Sequence, residues 1–163
     1  MAKSPYKIPA GAGYKEAANY ALRVQAAELL HNLSGTVDGD VEALHDMRVA
    51  SRRMRAAMSV FAEAYPAKKF RPIEKQVAEV TDALGAVRDA DVLLEYLDEA
   101  LKTLPEAAKV GVNALAESLR SDRERDRLVL IRDLERLQKS KFQAATEDLV
   151  GGPIEAKEEE TNG

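Results

Sequence analysis

Along most of the chain, apolar residues return every three or four positions, the period of helices that lay one face on a core. Ala18, Ala21, Leu22, Ala26, Leu29 and Leu33 form the first such stripe and predict a helix over about 14–33. The segment Ser34-Gly35-Thr36-Val37-Asp38-Gly39 reads as a turn, with Asp40 as the N-cap of a second helix reaching about residue 64. Pro66 stands where that helix should stop. A third helix is predicted over about 67–84, with Pro72 placed to shift its start, and Gly85 permits a break before a fourth segment over 87–104. Pro105 fits the first turn of a last helix that reaches about residue 149, ahead of Gly151. Short connections between amphipathic helices make sequential helices antiparallel neighbours. The expectation is an all-α, up-and-down bundle of four to five helices. No repeat of 20–50 residues is visible, which argues against a solenoid.

Composition agrees with that pattern and narrows the chemistry. The chain has 163 residues, 45% of them hydrophobic and 5% aromatic, with no Cys and no Trp. Few aromatics and much Ala, Leu, Glu, Arg and Lys suit helices rather than a β-sandwich. Without Cys there is no disulfide framework, no thiol nucleophile and no Cys-ligated zinc or iron–sulfur site, as expected of a cytoplasmic protein. No apolar run approaches the roughly 20 residues of a membrane span, and residues 1–13 lack the apolar core of a signal peptide. Residues 1–13 are read as a flexible tail, 14–149 as the bundle, and 150–163 as an acidic, disordered tail ending past the run Glu158–Glu160.

Charge changes the picture further. The net charge is −4, so any anion site has to be assembled locally. In the last helix, Glu117, Arg120, Glu124, Glu135 and Lys139 alternate in sign at helical spacing, a self-paired solvated face. The second helix differs. His45, Arg48, Arg52 and Arg55 follow spacings of three, four and three residues and fall on an arc of roughly 80°, separate from the apolar arc of Met47, Ala50, Met54, Met58 and Phe61. None of those three Arg has an acid three or four positions away. Arg53 lies about 100° off the stripe. Lys68, Arg71 and Lys75 share one arc of the third helix, with Lys69 beside them. Residues 45–75 hold eight Lys or Arg against three acids, a local balance of +5, while the rest of the chain sums to −9. An antiparallel hairpin about Pro66 is expected to bring Arg55 near the level of Lys75 and merge the two stripes. Five of the eight cations are Arg, whose planar fork suits phosphate oxygens.

Two Glu-x-x-His spacings, Glu28/His31 and Glu42/His45, admit a metal-chelating helical bundle as an alternative. Their His flank a turn, and Arg48 and Arg52 would stand within two turns of the cation, where Coulomb repulsion opposes it. There is no Gly-rich phosphate loop after a strand and no nucleophile–base spacing, so no enzymatic activity is expected.

Two segments carry a resemblance. Leu44-His45-Asp46-Met47-Arg48-Val49-Ala50-Ser51-Arg52-Arg53-Met54-Arg55, and further on Leu84-Gly85-Ala86-Val87-Arg88-Asp89-Ala90-Asp91-Val92, closely resemble the signatures of the CHAD family, the conserved histidine α-helical domain. Arg123, Arg125 and Arg127, taken as opening the last helix, and Lys141-Phe142 fit it too, so the resemblance spans about Tyr14 to Leu149. It implies an all-helical, non-catalytic module for inorganic polyphosphate. His45, Arg48, Arg52, Arg53, Arg55, Lys75 and Arg88 match the family's basic positions, and charge placement adds Lys68, Lys69 and Arg71. Asp89 and Asp91 are expected to orient neighbouring Arg side chains. Family domains usually hold two four-helix halves, and only one signature occurs here. The chain is therefore read as one half of a two-repeat architecture that forms a homodimer. No cofactor is implied. The alternative, a nucleic-acid or other polyanion binder, would want interleaved aromatics; the basic window offers only Phe61, Tyr65 and Phe70.

Overall fold

The computed structural model describes Ile8 and residues 10–154, and the apolar periods of the sequence become six α-helices there. They are α1 (Tyr14–His31), α2 (Leu33–Asp38), α3 (Val41–Phe61), α4 (Ala67–Leu101), α5 (Glu106–Lys139) and α6 (Phe142–Val150), with a 3₁₀ turn at Ala62–Ala64. No β-strand occurs among the described residues. Asp40 caps α3 as its position demands. Its Oδ1 accepts the backbone N–H groups of Glu42 at 2.8 Å and Ala43 at 3.0 Å, satisfying two donors that a helix start leaves orphaned.

Helices α1, α3, α4 and α5 pack in sequence order, and α6 returns against α1 and α4. Their apolar stripes meet in one core that includes Leu22, Leu29, Met47, Met54, Met58, Val77, Leu84, Val87, Leu130, Leu134 and Phe142, all fully buried or nearly so. Each such side chain contributes about 1.5–3 kcal/mol on leaving water. The hairpin end is closed by aromatics: Tyr65 stacks on Phe70 at 5.7 Å, and Lys15 Nζ lies 3.4 Å from the Tyr65 ring centroid.

The structure departs from the sequence-based expectation at four places. Residues 33–38 form α2 rather than a turn, because Leu33 and Thr36 are buried and the Thr36 hydroxyl donates to the Asn32 carbonyl at 2.7 Å. Gly39, at φ +92°, ends that helix. The third and fourth predicted segments are one helix, α4, of 35 residues. Pro72 gives up one hydrogen bond on the exposed side of α4, and Gly85 is held helical between the fully buried Leu84 and Val87. The last predicted helix is two, because Lys141 takes a left-handed conformation (φ 57°) that turns the chain and drives Phe142 into the core. Finally, Ile154 is buried in the core beyond the stop at Gly151, its N–H donating to Glu147 Oε1 at 3.1 Å. Residues 1–7, Pro9 and the acidic run Glu158–Glu160 lie outside the described residues. Among those described, no helix is long and apolar enough to cross a membrane.

Candidate functional site

The register of α3 on α4 is marked by two ion pairs. Arg55 Nη1 lies 2.8 Å from Asp82 Oδ1, and Arg48 Nη2 lies 3.6 Å from Asp89 Oδ1. Seven residues separate the two Arg and seven separate the two Asp, so the helices run antiparallel without slippage. This corrects the expected level of Lys75. Arg55 faces Asp82, and Lys75 sits seven residues, about 10 Å, nearer the hairpin loop. Lys68, Lys75, Asp82 and Asp89 recur every seven residues on one arc of α4. The basic stripes of the two helices therefore follow one another end to end instead of merging side by side.

Between the two helices runs an open groove of about 450 Å³. Arg48, Arg52 and Arg55 line it from α3; Thr81, Asp82, Gly85, Ala86 and Asp89 line it from α4. Arg48 is largely buried, 24% exposed, and its Nε is shielded from water without a hydrogen-bond partner among the described residues. Among the described residues Arg52 has no ion pair, and it stands between the two paired guanidiniums. The Thr81 hydroxyl is committed to the Val77 carbonyl at 2.6 Å. At Gly85 an added Cβ would meet nothing within 4 Å, so the missing side chain leaves the floor of the groove open. Three guanidiniums and two carboxylates give the groove a net charge of about +1. It can accept an elongated anion along the Arg wall.

The other candidate residues are distributed around it. His45 is exposed one turn before Arg48 on the same arc, outside the lining. Arg53 is exposed on another face of α3. Lys68 and Arg71 are exposed near the hairpin loop, where Lys75 lies 3.8 Å from Glu79 and Lys69 lies 2.8 Å from Asp148 of α6. Arg88 turns along its own helix to Glu95 at 3.2 Å. The structure thus brings together Arg48, Arg52 and Arg55, and leaves the remaining cations on the hairpin surface. Asp82 was not singled out by sequence reasoning. Its only signal there is its place on the heptad arc shared with Lys75 and Asp89.

Arg123, Arg125 and Arg127 lie in the middle of α5 rather than opening a helix, and they act within the fold. Arg123 Nε donates to Asp91 Oδ1 at 2.7 Å, and that bond holds the Arg123 pKa above its ordinary value, with burial opposing. Arg127 Nη2 donates to the Val37 carbonyl at 3.1 Å, tying α5 to α2, and Arg125 pairs with Asp122. Asp89 and Asp91 both touch Arg side chains, each a different one. Arg120 pairs with Glu117 and Lys139 with Glu135, the self-paired face of α5. His31 ends α1, exposed, and among the described residues no group of three or more His, Asp or Glu is placed to hold a metal ion. Tyr65 and Phe70 are buried, and the ring of Phe61 tilts against Tyr14 at 5.3 Å, so none of the three lines the groove.

Comparison with known proteins gives three findings. The family model described as the CHAD domain matches residues 20–162, which is most of the chain. An 88-residue stretch is 32% identical to a protein of Mycobacterium tuberculosis that is described only as uncharacterized. That stretch is 54% of this chain and 15% of the other protein, so the chain spans less than a fifth of that relative's length. No solved structure matches.

Proposed function

The chain belongs to the CHAD domain family, and on that premise we propose that it is a non-catalytic module that binds inorganic polyphosphate in the groove between α3 and α4. The observation that carries this reading is the row of Arg48, Arg52 and Arg55 along one wall of an open groove. Guanidiniums one turn apart offer parallel donor forks to successive phosphates. Each charge-assisted hydrogen bond contributes about 1.5–3 kcal/mol net, against about 0.2–0.5 kcal/mol for each like-charge neighbour on the helix. His45 and the exposed Lys68, Arg71 and Lys75 extend the cationic track beyond both ends of the groove. Two features support polyphosphate over nucleic acid. The family is associated with polyphosphate, and the groove offers no aromatic surface for base stacking.

We assign the chain a further property on the same premise: two copies pair to complete a two-half arrangement. The α4 arc that lines the groove continues past Asp89 through Val92, Leu93 and Tyr96, which are exposed, with Tyr96 70% accessible. Val41, at the start of α3, is also exposed. An apolar end on each groove suits an isologous contact that sets two Arg rows in one line.

The direct test is a filter-binding titration with long-chain polyphosphate at two ionic strengths. Wild-type protein is expected to bind and to weaken as salt rises. Arg48→Ala/Arg52→Ala is expected to lose at least about tenfold in affinity with its helical circular dichroism unchanged. Unchanged affinity in that variant removes the reading.

A further inference from the structure

The groove has two walls of opposite sign, and the acidic one has no role in holding an anion. Asp82 and Asp89 stand opposite Arg55 and Arg48 at 2.8 and 3.6 Å, and both carboxylates are mostly exposed. Pairs so wetted are weak, so they need not be there to hold α3 on α4, which is done by the Met and Val core beneath them. Arg52, between them, faces no carboxylate among the described residues.

Resting on the polyphosphate reading above, we infer that Asp82 and Asp89 are built-in competitors for the ligand. The chain binds by exchange, each carboxylate giving up its guanidinium to a phosphate. Arg52 is the free cation on which an anion lands first. Arg48 and Arg55 are then released from Asp89 and Asp82 as the chain extends along the groove in either direction. The Nε of Arg48, shielded from water and without a partner among the described residues, is a donor left unsatisfied in the free groove. Exchange lowers affinity, because the displaced carboxylates remain beside the bound anion. It also keeps binding reversible, because both return as soon as a phosphate leaves. In charge terms, the free groove presents about one uncompensated cation rather than three.

The test compares wild type with Asp82→Asn/Asp89→Asn and with Asp46→Asn/Glu63→Gln, a control that removes two exposed carboxylates lying outside the groove. Affinity for long-chain polyphosphate is measured across a salt series. The groove variant is expected to bind roughly tenfold more tightly at low salt. Its plot of log affinity against log salt should steepen by about 1.4 to 1.8, as two more cations become available to release counterions. The control should move both quantities by less than half as much. Unchanged affinity overturns the inference, as does weaker binding, which would make the carboxylates positioning groups for the guanidiniums. Equal gains in the control would assign the effect to net charge alone and overturn it too. Failure of the polyphosphate reading looks different: neither wild type nor the groove variant would bind at any salt concentration.

Discussion

Tyr65 is a single residue on which the closed end of the hairpin depends. Its ring stacks on Phe70, lies under Lys15 and donates its hydroxyl to Asn19 Oδ1 at 3.0 Å. Burial is the main reason its phenol is pushed up from 10.0 to about 12, with Arg23 opposing and Tyr14 adding. A folded-state value above the unfolded one gives stability that is complete below about pH 10 and is lost as pH rises through about 12. Urea midpoints for wild type should therefore fall across that window, and those for Tyr65→Phe should fall less. Lys15, which desolvation holds below the ordinary Lys range, contributes with the opposite sign in both proteins, so the difference between their slopes isolates Tyr65. Equal slopes would refute this account of the phenol. At neutral pH the variant should be less stable by about 1 kcal/mol, from the lost hydrogen bond to Asn19.

At the scale of elements, two glycines have different reasons for being small. A Cβ on Gly35 would lie 2.7 Å from the Cβ of Ala43, so the packing of α2 on α3 requires the absence of a side chain. Gly35→Ala should cost about 1–3 kcal/mol in chemical denaturation. Gly85 has open space above it, so Gly85→Ala should stabilise α4 by about 0.5–1 kcal/mol. Gly85→Leu should keep that stability and weaken polyphosphate binding by filling the groove, which a titration would detect. The same two glycines show what local signals convey. The Asp40 cap, the stop ahead of Pro66 and the Arg stripe of α3 were legible because each is a relation between residues a few positions apart. Gly85 looked like a break because propensity ignores neighbours, whereas Leu84 and Val87 anchor α4 in the core on either side of it. Residues 34–39 looked like a turn for the same reason, although burial of Leu33 and Thr36 makes most of them helical. The bend at Lys141 had no glycine to announce it. Asp82 escaped notice because its part in the site arises from the register between α3 and α4, and charge spacing within one helix does not contain that register.

For the whole molecule, the distribution of charge decides how binding should scale. A net −4 chain repels polyanions at a distance. On the polyphosphate reading, attraction comes from the α3–α4 hairpin, and the number of cations in line determines the response to salt. If two copies meet through Val92, Leu93 and Tyr96, a long polyphosphate crosses two Arg rows. Its salt slope then counts both rows, since each neutralised phosphate contributes about −0.7 to −0.9 in related polyanion systems. An anion too short to leave one groove counts only one. Leu93→Glu/Tyr96→Glu places like charges against each other across the two-fold contact and leaves the Arg row intact. The variant should sediment as a monomer, and its long-chain slope should fall to about half that of wild type. Its affinity for a short oligophosphate should stay within about twofold. A wild-type protein that is monomeric at micromolar concentration, or a variant with an undiminished slope, would show that one groove works alone. In that case the apolar end of α4 plays no part in binding the chain.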